Sequence, residues 1–270
     1  MVKKLLKHEF IYYIRSFGLF LPIVLVIAVM ARVFRCFDDS NAVNRIMIYS
    51  SSMILIVACA ALVILSAVIG IVRFYKNMFS AEGYLTFTLP VTNAQHIFVK
   101  LLMSIVFEAV CLMVVTAAGA IALSGDALAA FWDGLWQMLR GIDAQIGTGH
   151  MVALIIEWIL LAVASVVSGM LLFYACITVG QTAKKNRIIK AIGAYFVYYM
   201  ITQIAGTTFT VSIMMLELND ALTDILEWIV YHPMASMHMF FCGTILLYTG
   251  LSAVFWLITQ HIMTKKLNLE

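Results

Sequence analysis

Residues 47–72, MIYSSSMILIVACAALVILSAVIGIV, pass through 26 positions without one charge. About 20 apolar residues in a helix cross the hydrocarbon core of a bilayer, so this stretch can span one with residues to spare. Five further runs, 17–34, 101–123, 151–179, 191–215 and 237–263, are similarly apolar, and three of them are interrupted by a single charge. A spanning segment must satisfy its own N–H and C=O groups, because lipid offers them no partners. Runs of this length also far exceed the ~10-residue alternating strands of membrane barrels. The expected fold is therefore an all-α polytopic membrane protein with six transmembrane helices in a single domain, residues 1–270.

Composition agrees. Hydrophobic residues make up 64% of the chain, charged residues 11%, and the mean hydropathy is +1.02. Soluble domains are roughly half apolar and a quarter charged, and a soluble fold of this size could not hide so much apolar surface. Lys and Arg accumulate on the cytoplasmic side of membrane proteins. Placing both termini in the cytoplasm puts Lys3, Lys4, Lys7, Arg15, Arg73, Lys76, Lys100, Lys184, Lys185, Arg187, Lys190, Lys265 and Lys266 inside, and only Arg32, Arg35, Arg45 and Arg140 outside. The net charge of +3 is that bias and calls for no nucleic acid. Residues 1–15 are too long for the basic region of a signal peptide. Residues 1–16 read instead as an interfacial helix, with Lys4, His8 and Arg15 on one face and Leu6, Phe10, Tyr13, Ile14 and Phe17 on the other. The five cysteines lack paired spacing and read as reduced packing residues, with no metal ligands among them.

The segment between the second and third spans, 73–100, is dense and patterned. Pro90 drives Leu89 out of the helical region, which predicts a break between two helical halves. Tyr84, Phe87 and Thr88 share one side of the first half, and Phe74, Tyr75 and Phe79 can lie along the membrane surface. The second half, 92–100, takes Thr92 or Asn93 as N-cap and runs directly into the third span.

The order Glu82-Gly83-Tyr84-Leu85-Thr86-Phe87-Thr88-Leu89-Pro90-Val91-Thr92, with Lys100-Leu101-Leu102 beyond it, resembles the permeases of ATP-binding-cassette type-2 exporters. In that family an acid, Gly, a Leu-rich helix, Pro-Val-Ser/Thr and a later Lys occupy the same place. Arg73-Phe-Tyr-Lys-Asn and Lys265-Lys-Leu-Asn-Leu-Glu270 resemble a subgroup found in Gram-positive bacteria. The resemblance implies an N-terminal elbow helix and a cytoplasmic coupling helix that docks on an ATPase subunit. It implies contacts through Lys76, Glu82, Gly83, Tyr84, Thr86, Phe87, Leu89 and Pro90. It also implies a second permease, identical or homologous, in a bacterial cytoplasmic membrane, with ATP and Mg held by the ATPase and no cofactor on this chain. The family often continues its acid with Arg-Gly-Thr, where this chain has Gly83-Tyr84.

The spans carry few polar groups. Glu108 and Glu157 are the acids well inside them, and ionisable residues at such depth are functional candidates. Neither has an evident intramembrane Lys, Arg or His partner, which argues against a proton-driven carrier and favours structural carboxyls. Tyr195, Tyr199, Thr202, Gln203, Gly206 and Thr210 form a polar stripe on the fifth span, and Ser52, Cys59 and Ser66 recur at heptad spacing on the second. Small polar residues commonly serve close helix packing. Because second and fifth spans line the pathway in the resembled family, Ser52, Cys59, Tyr195, Tyr199 and Gln203 become candidates for that role. Outside, 126–142 and 217–229 read as amphipathic helices at the outer leaflet, the latter with Glu217, Asp220, Asp224 and Glu227 opposite Leu218, Leu222, Ile225 and Ile229.

The chain holds no Gly-x-x-x-x-Gly-Lys-Ser/Thr phosphate loop, and none of the motifs of an intramembrane protease or phosphotransferase. It is expected not to be an enzyme by itself. The expected function is the permease half of an ATP-driven exporter of an amphipathic or hydrophobic substrate such as an antimicrobial peptide, drug or lipid. A non-pumping immunity, binding or sensing protein is the alternative.

Overall fold

The computed structural model describes residues 2–37, 41–80, 83, 90–123, 125–183, 185–218 and 223–265. Nine helices appear among them: α1 (Val2–Phe17), α2 (Phe20–Arg35), α3 (Ala42–Phe79), α4 (Asn93–Ala122), α5 (Asp126–Ile146), α6 (Thr148–Gln181), α7 (Arg187–Leu218), α8 (Thr223–Tyr231) and α9 (Pro233–Lys265). Six helical stretches are long and apolar enough to cross a membrane, one at each expected run. The chain is a multi-pass, all-α membrane protein.

At 1.5 Å per residue α3 is about 57 Å long, against ~40–45 Å for a whole bilayer with its headgroups. Its charge-free part is 47–72, so the end carrying Arg73 and Lys76 stands beyond the hydrocarbon. The first span differs in form from the sequence expectation. Helix α2 alone has 16 residues, about 24 Å. Only Gly18 and Leu19 separate it from α1, Leu19 keeps helical angles, and the Gly18 N–H still donates to the Ile14 carbonyl at 2.7 Å. Nor is the Tyr13–Phe17 side of α1 free to lie on lipid, because Tyr13 and Phe17 are fully buried in protein.

The helices gather into two compact units, Met1–Gly141 and Ile142–Glu270. In the first, α2, α3 and α4 pack on one another and α1 packs on α4. Lipid tails are as apolar as Leu, so close van der Waals contact, not water exclusion, must hold such helices together. Ala28, Ala31, Ala118 and Ala122 supply the close approach, and Tyr13, Phe17, Leu62 and Phe107 fill the space between. Arg35 binds the far end, donating to the Ala122 carbonyl at 3.3 Å and to Ser52 Oγ at 3.2 Å. It thereby satisfies a terminal carbonyl of α4 and ties α2 to α3 and α4.

In the second unit α6 packs on both α7 and α9, and α8 packs on α9. The α6–α7 turn is tight. A Cβ on Gly180 would lie 2.6 Å from the Arg187 carbonyl oxygen and 2.7 Å from Ala191 Cβ, and Lys190 Nζ donates to Thr182 Oγ1 at 2.7 Å. Among the described side chains of α7 none is buried, so most of its surface faces lipid or another protein. Of the segment 217–229 expected as one helix, Glu217 belongs to the end of α7 and Glu227 to α8, and 219–222 lie outside the described residues. The expected helix at 126–142 is present as α5, with no buried residue.

Replacing Gly180 by Ala forces backbone apart at that turn. Overpacking of this kind costs about 1–3 kcal/mol. Gly180→Ala is expected to lower the thermal unfolding midpoint in detergent, while Gly193→Ala, whose Cβ would meet nothing within 4 Å, leaves it unchanged.

Candidate functional site

Glu9 is the one acid among the first 37 residues, and it occupies a helix position in line with Tyr13 and Phe17. Its side chain is 2% exposed. Oε1 accepts from Lys100 Nζ of α4 at 2.8 Å, and Oε2 accepts from Arg73 Nε of α3 at 3.0 Å. The Arg73 guanidinium also lies 3.9 Å above the Tyr12 ring, a cation–π contact. One turn along, the Ser104 hydroxyl donates to the Lys100 carbonyl at 2.9 Å, which leaves Tyr13 OH to donate to Ser104 Oγ at 2.9 Å. Phe107 stacks on Tyr13 and Phe17 at 4.8 and 5.6 Å. One carboxylate thus joins three helices at the two roots of segment 80–92.

This end of the bundle lies outside the apolar runs. Burial raises the Glu9 pKa, but Lys100 and Arg73 together outweigh it, so the carboxyl sits below its ordinary 4.5 and stays ionised. His96, fully buried one turn before Lys100, is pushed down by burial and by Lys100, only partly countered by Glu9. Neither of its ring nitrogens has a partner among the described residues.

The segment itself is anchored at both ends. The Ser80 hydroxyl donates to the Lys76 carbonyl, and buried Gly83 donates its N–H to the Ser80 carbonyl at 2.8 Å. A Cβ on Gly83 would fall 2.6 Å from the Met78 carbonyl oxygen, so only glycine fits there. At the other end Thr92 is the N-cap of α4 in a complete capping box with Gln95. Lys76 and Pro90 are exposed. Glu82, Tyr84, Thr86, Phe87 and Leu89 lie outside the described residues. Phe74, expected at the membrane surface, is instead fully buried and makes an edge contact with Phe79 at 5.7 Å.

The other candidates separate. Ser52 is held by Arg35, and Cys59 packs on the core of the first unit. Tyr195, Tyr199 and Gln203 are exposed along α7, with the Tyr195 ring stacked on Phe173 at 5.5 Å. Glu108 accepts a hydrogen bond from Ser66 on α3. Glu157 overturns the expectation that it lacks a His partner: His238 Nδ1 lies 2.8 Å from its Oε1. Sequence reasoning passed over Glu9 and His238. A lone acid on the aromatic stripe of a basic helix was the available signal for the first; nothing local marked the second.

Comparison with protein-family models, curated proteins and solved structures finds no match to this chain.

A lowered carboxyl contributes stability that is complete above its ordinary pKa and is lost as pH falls through the folded-state value. Glu9→Gln removes the negative charge shared by buried Lys100 and part-buried Arg73 and is expected to cost about 3–5 kcal/mol near pH 7. Thermal unfolding in detergent checks this, with the gap between wild type and variant narrowing as pH drops below 4.5.

Proposed function

We propose that the chain is the membrane-spanning permease of an ATP-driven exporter, with segment 80–92 as the element that meets an ATPase made on another chain. The observation that carries this reading is the Glu9 junction. Arg73 lies six residues before the end of α3, Lys100 lies seven residues after the start of α4, and both are fastened to the same carboxylate. A segment meant to transmit a push must be rooted in helices that move together, since a flexible root would absorb the displacement. A surface loop with no mechanical task has no need of a buried ion pair at its roots.

In this reading both termini and segment 80–92 face the cytoplasm, in keeping with the distribution of Lys and Arg. ATP binding closes a pair of ATPase subunits, and their displacement passes through Tyr84 and Phe87 as aromatic anchors and Glu82 and Lys76 as charged contacts. The junction carries it into α3 and α4. A second permease, identical or related, sits against the unburied stripe of Tyr195, Tyr199 and Gln203, and an amphipathic or hydrophobic cargo suits a path with so few charges.

Purification in mild detergent from the native membrane tests the reading, with a stoichiometric ATPase as the expected companion. Truncating Tyr84 and Phe87 to Ala is expected to weaken that association by about 2 kcal/mol, roughly thirtyfold, and to abolish cargo-stimulated ATP hydrolysis while membrane insertion is unchanged. A chain that purifies without an ATPase, or a Lys76→Cys thiol that labels from outside intact cells, overturns it in favour of a non-pumping binding or immunity protein.

A further inference from the structure

His150, His238 and Glu157 form an unbroken hydrogen-bonded chain in the second unit. His150 Nδ1 lies 3.0 Å from His238 Nε2, and His238 Nδ1 lies 2.8 Å from Glu157 Oε1. His150 is exposed at the start of α6, just before its apolar run. Glu157 is seven residues deeper on the same helix, about 10 Å at 1.5 Å per residue, and its side chain is 14% exposed. Its second oxygen, Oε2, is buried with no partner among the described residues. The three groups therefore step from the membrane boundary into the hydrocarbon with no gap wider than a hydrogen bond.

The atoms involved restrict the protons. An ionised Glu157 accepts from His238 Nδ1–H, so a neutral His238 has Nε2 free to accept. His150 must then donate its Nδ1–H to His238 Nε2, which leaves His150 Nε2 as an open acceptor at the boundary. Each ring offers one nitrogen outward and one inward, which is the arrangement a proton relay requires. Among the described residues no three His, Cys, Asp or Glu side chains are grouped as metal ligands would be.

We infer that His150 and His238 are a proton-uptake path that loads the membrane-embedded carboxylate of Glu157. A proton binds His150 Nε2; the Nδ1 proton of His150 passes to His238 Nε2; the Nδ1 proton of His238 passes to Glu157 Oε1. One proton is consumed, the carboxylate becomes a neutral acid, and both rings end neutral with their tautomers exchanged. Return follows the same steps in reverse.

Among the described residues few other titratable groups face this path. On α9 the Cys242 thiol lies 4.0 Å from Glu157 Oε1. On α7 the level of Glu157 follows from the Phe173–Tyr195 stack and falls near Val211, where residues 207–215 include no titratable side chain. On α8 and its junction with α9 stand Glu227 and His232, with His232 Nδ1 3.2 Å from the Trp228 carbonyl oxygen. Asp143, seven residues before His150, has a buried Oδ1 without a partner among the described residues. The inference needs only that α6 and α9 cross the membrane, and stands apart from the ATPase reading.

The test is infrared spectroscopy of the full chain in lipid nanodiscs during a rapid drop in pH. The expected result is a protonated-carboxyl carbonyl band with a component missing from Glu157→Gln. In His150→Ala that component is expected to rise at least about tenfold more slowly, as for loss of a positioned proton carrier, and added imidazole is expected to restore the rate. His150 is exposed and its ring meets that of His238, so its replacement removes that contact and leaves the buried core untouched. A spectrum of Glu157→Gln indistinguishable from wild type, or an unchanged rate in His150→Ala, overturns the proposal.

Discussion

A polar group buried in protein or hydrocarbon has no water to fall back on, and this single constraint accounts for the side-chain contacts that join helices far apart in sequence among the described residues. The chain carries few such groups, and the described ones are largely provided for. Arg35 takes a helix-end carbonyl and a serine hydroxyl. Glu108 is met by Ser66, and Glu157 by His238. Glu9 is met by two cations. Each contact joins different helices, so satisfying the polar atom also fixes which helices are neighbours. Apolar packing in lipid discriminates weakly between alternative pairings, since one leucine-rich face fits another about as well as it fits acyl chains.

The Glu9 junction shows how that constraint becomes mechanical. An ion pair at a water-exposed surface contributes about 0–1 kcal/mol and gives way easily. Taken out of water, the Glu9 carboxylate cannot part from its cations without standing buried and uncompensated, which costs several kcal/mol. The three helices meeting at Glu9 are thereby compelled to shift as one. The aromatic stack of Tyr13, Phe17 and Phe107 beside it resists shear, because rings in contact at 4.8–6.1 Å cannot slide without losing overlap. Stiffness at this end follows from the placement of one carboxylate and needs no special segment sequence.

How much of this was legible in the sequence depends on the range of the interaction. The six spans were legible because length and apolarity are local properties, and the Thr92 cap because its partner Gln95 is three residues away. The pairings were not. Glu9 finds its partners 64 and 91 residues away, and Glu157 finds His238 across 81. No spacing rule reaches so far within one chain. Phe74 was misplaced for a related reason: an aromatic at a helix end suits the interface by type, and only the fold reveals that it is buried.

The two intramembrane acids look alike in sequence and differ in what their partners can do. Ser66 has one hydroxyl proton, shared between Glu108 and the Val63 carbonyl. Passing that proton to Glu108 would leave an alkoxide in hydrocarbon, so the contact can hold a carboxylate but cannot load it. An imidazole has a second nitrogen, and gives up a proton on one side as it gains one on the other without carrying net charge at the end. His238 uses both nitrogens, and the one facing away from Glu157 meets another imidazole at the boundary. A helix contact alone would have been served by a serine or a threonine at that position; a ring with a second ring behind it adds connection to the outside. The chemistry of the partner, more than the depth of the acid, separates a structural carboxyl from one that can exchange protons.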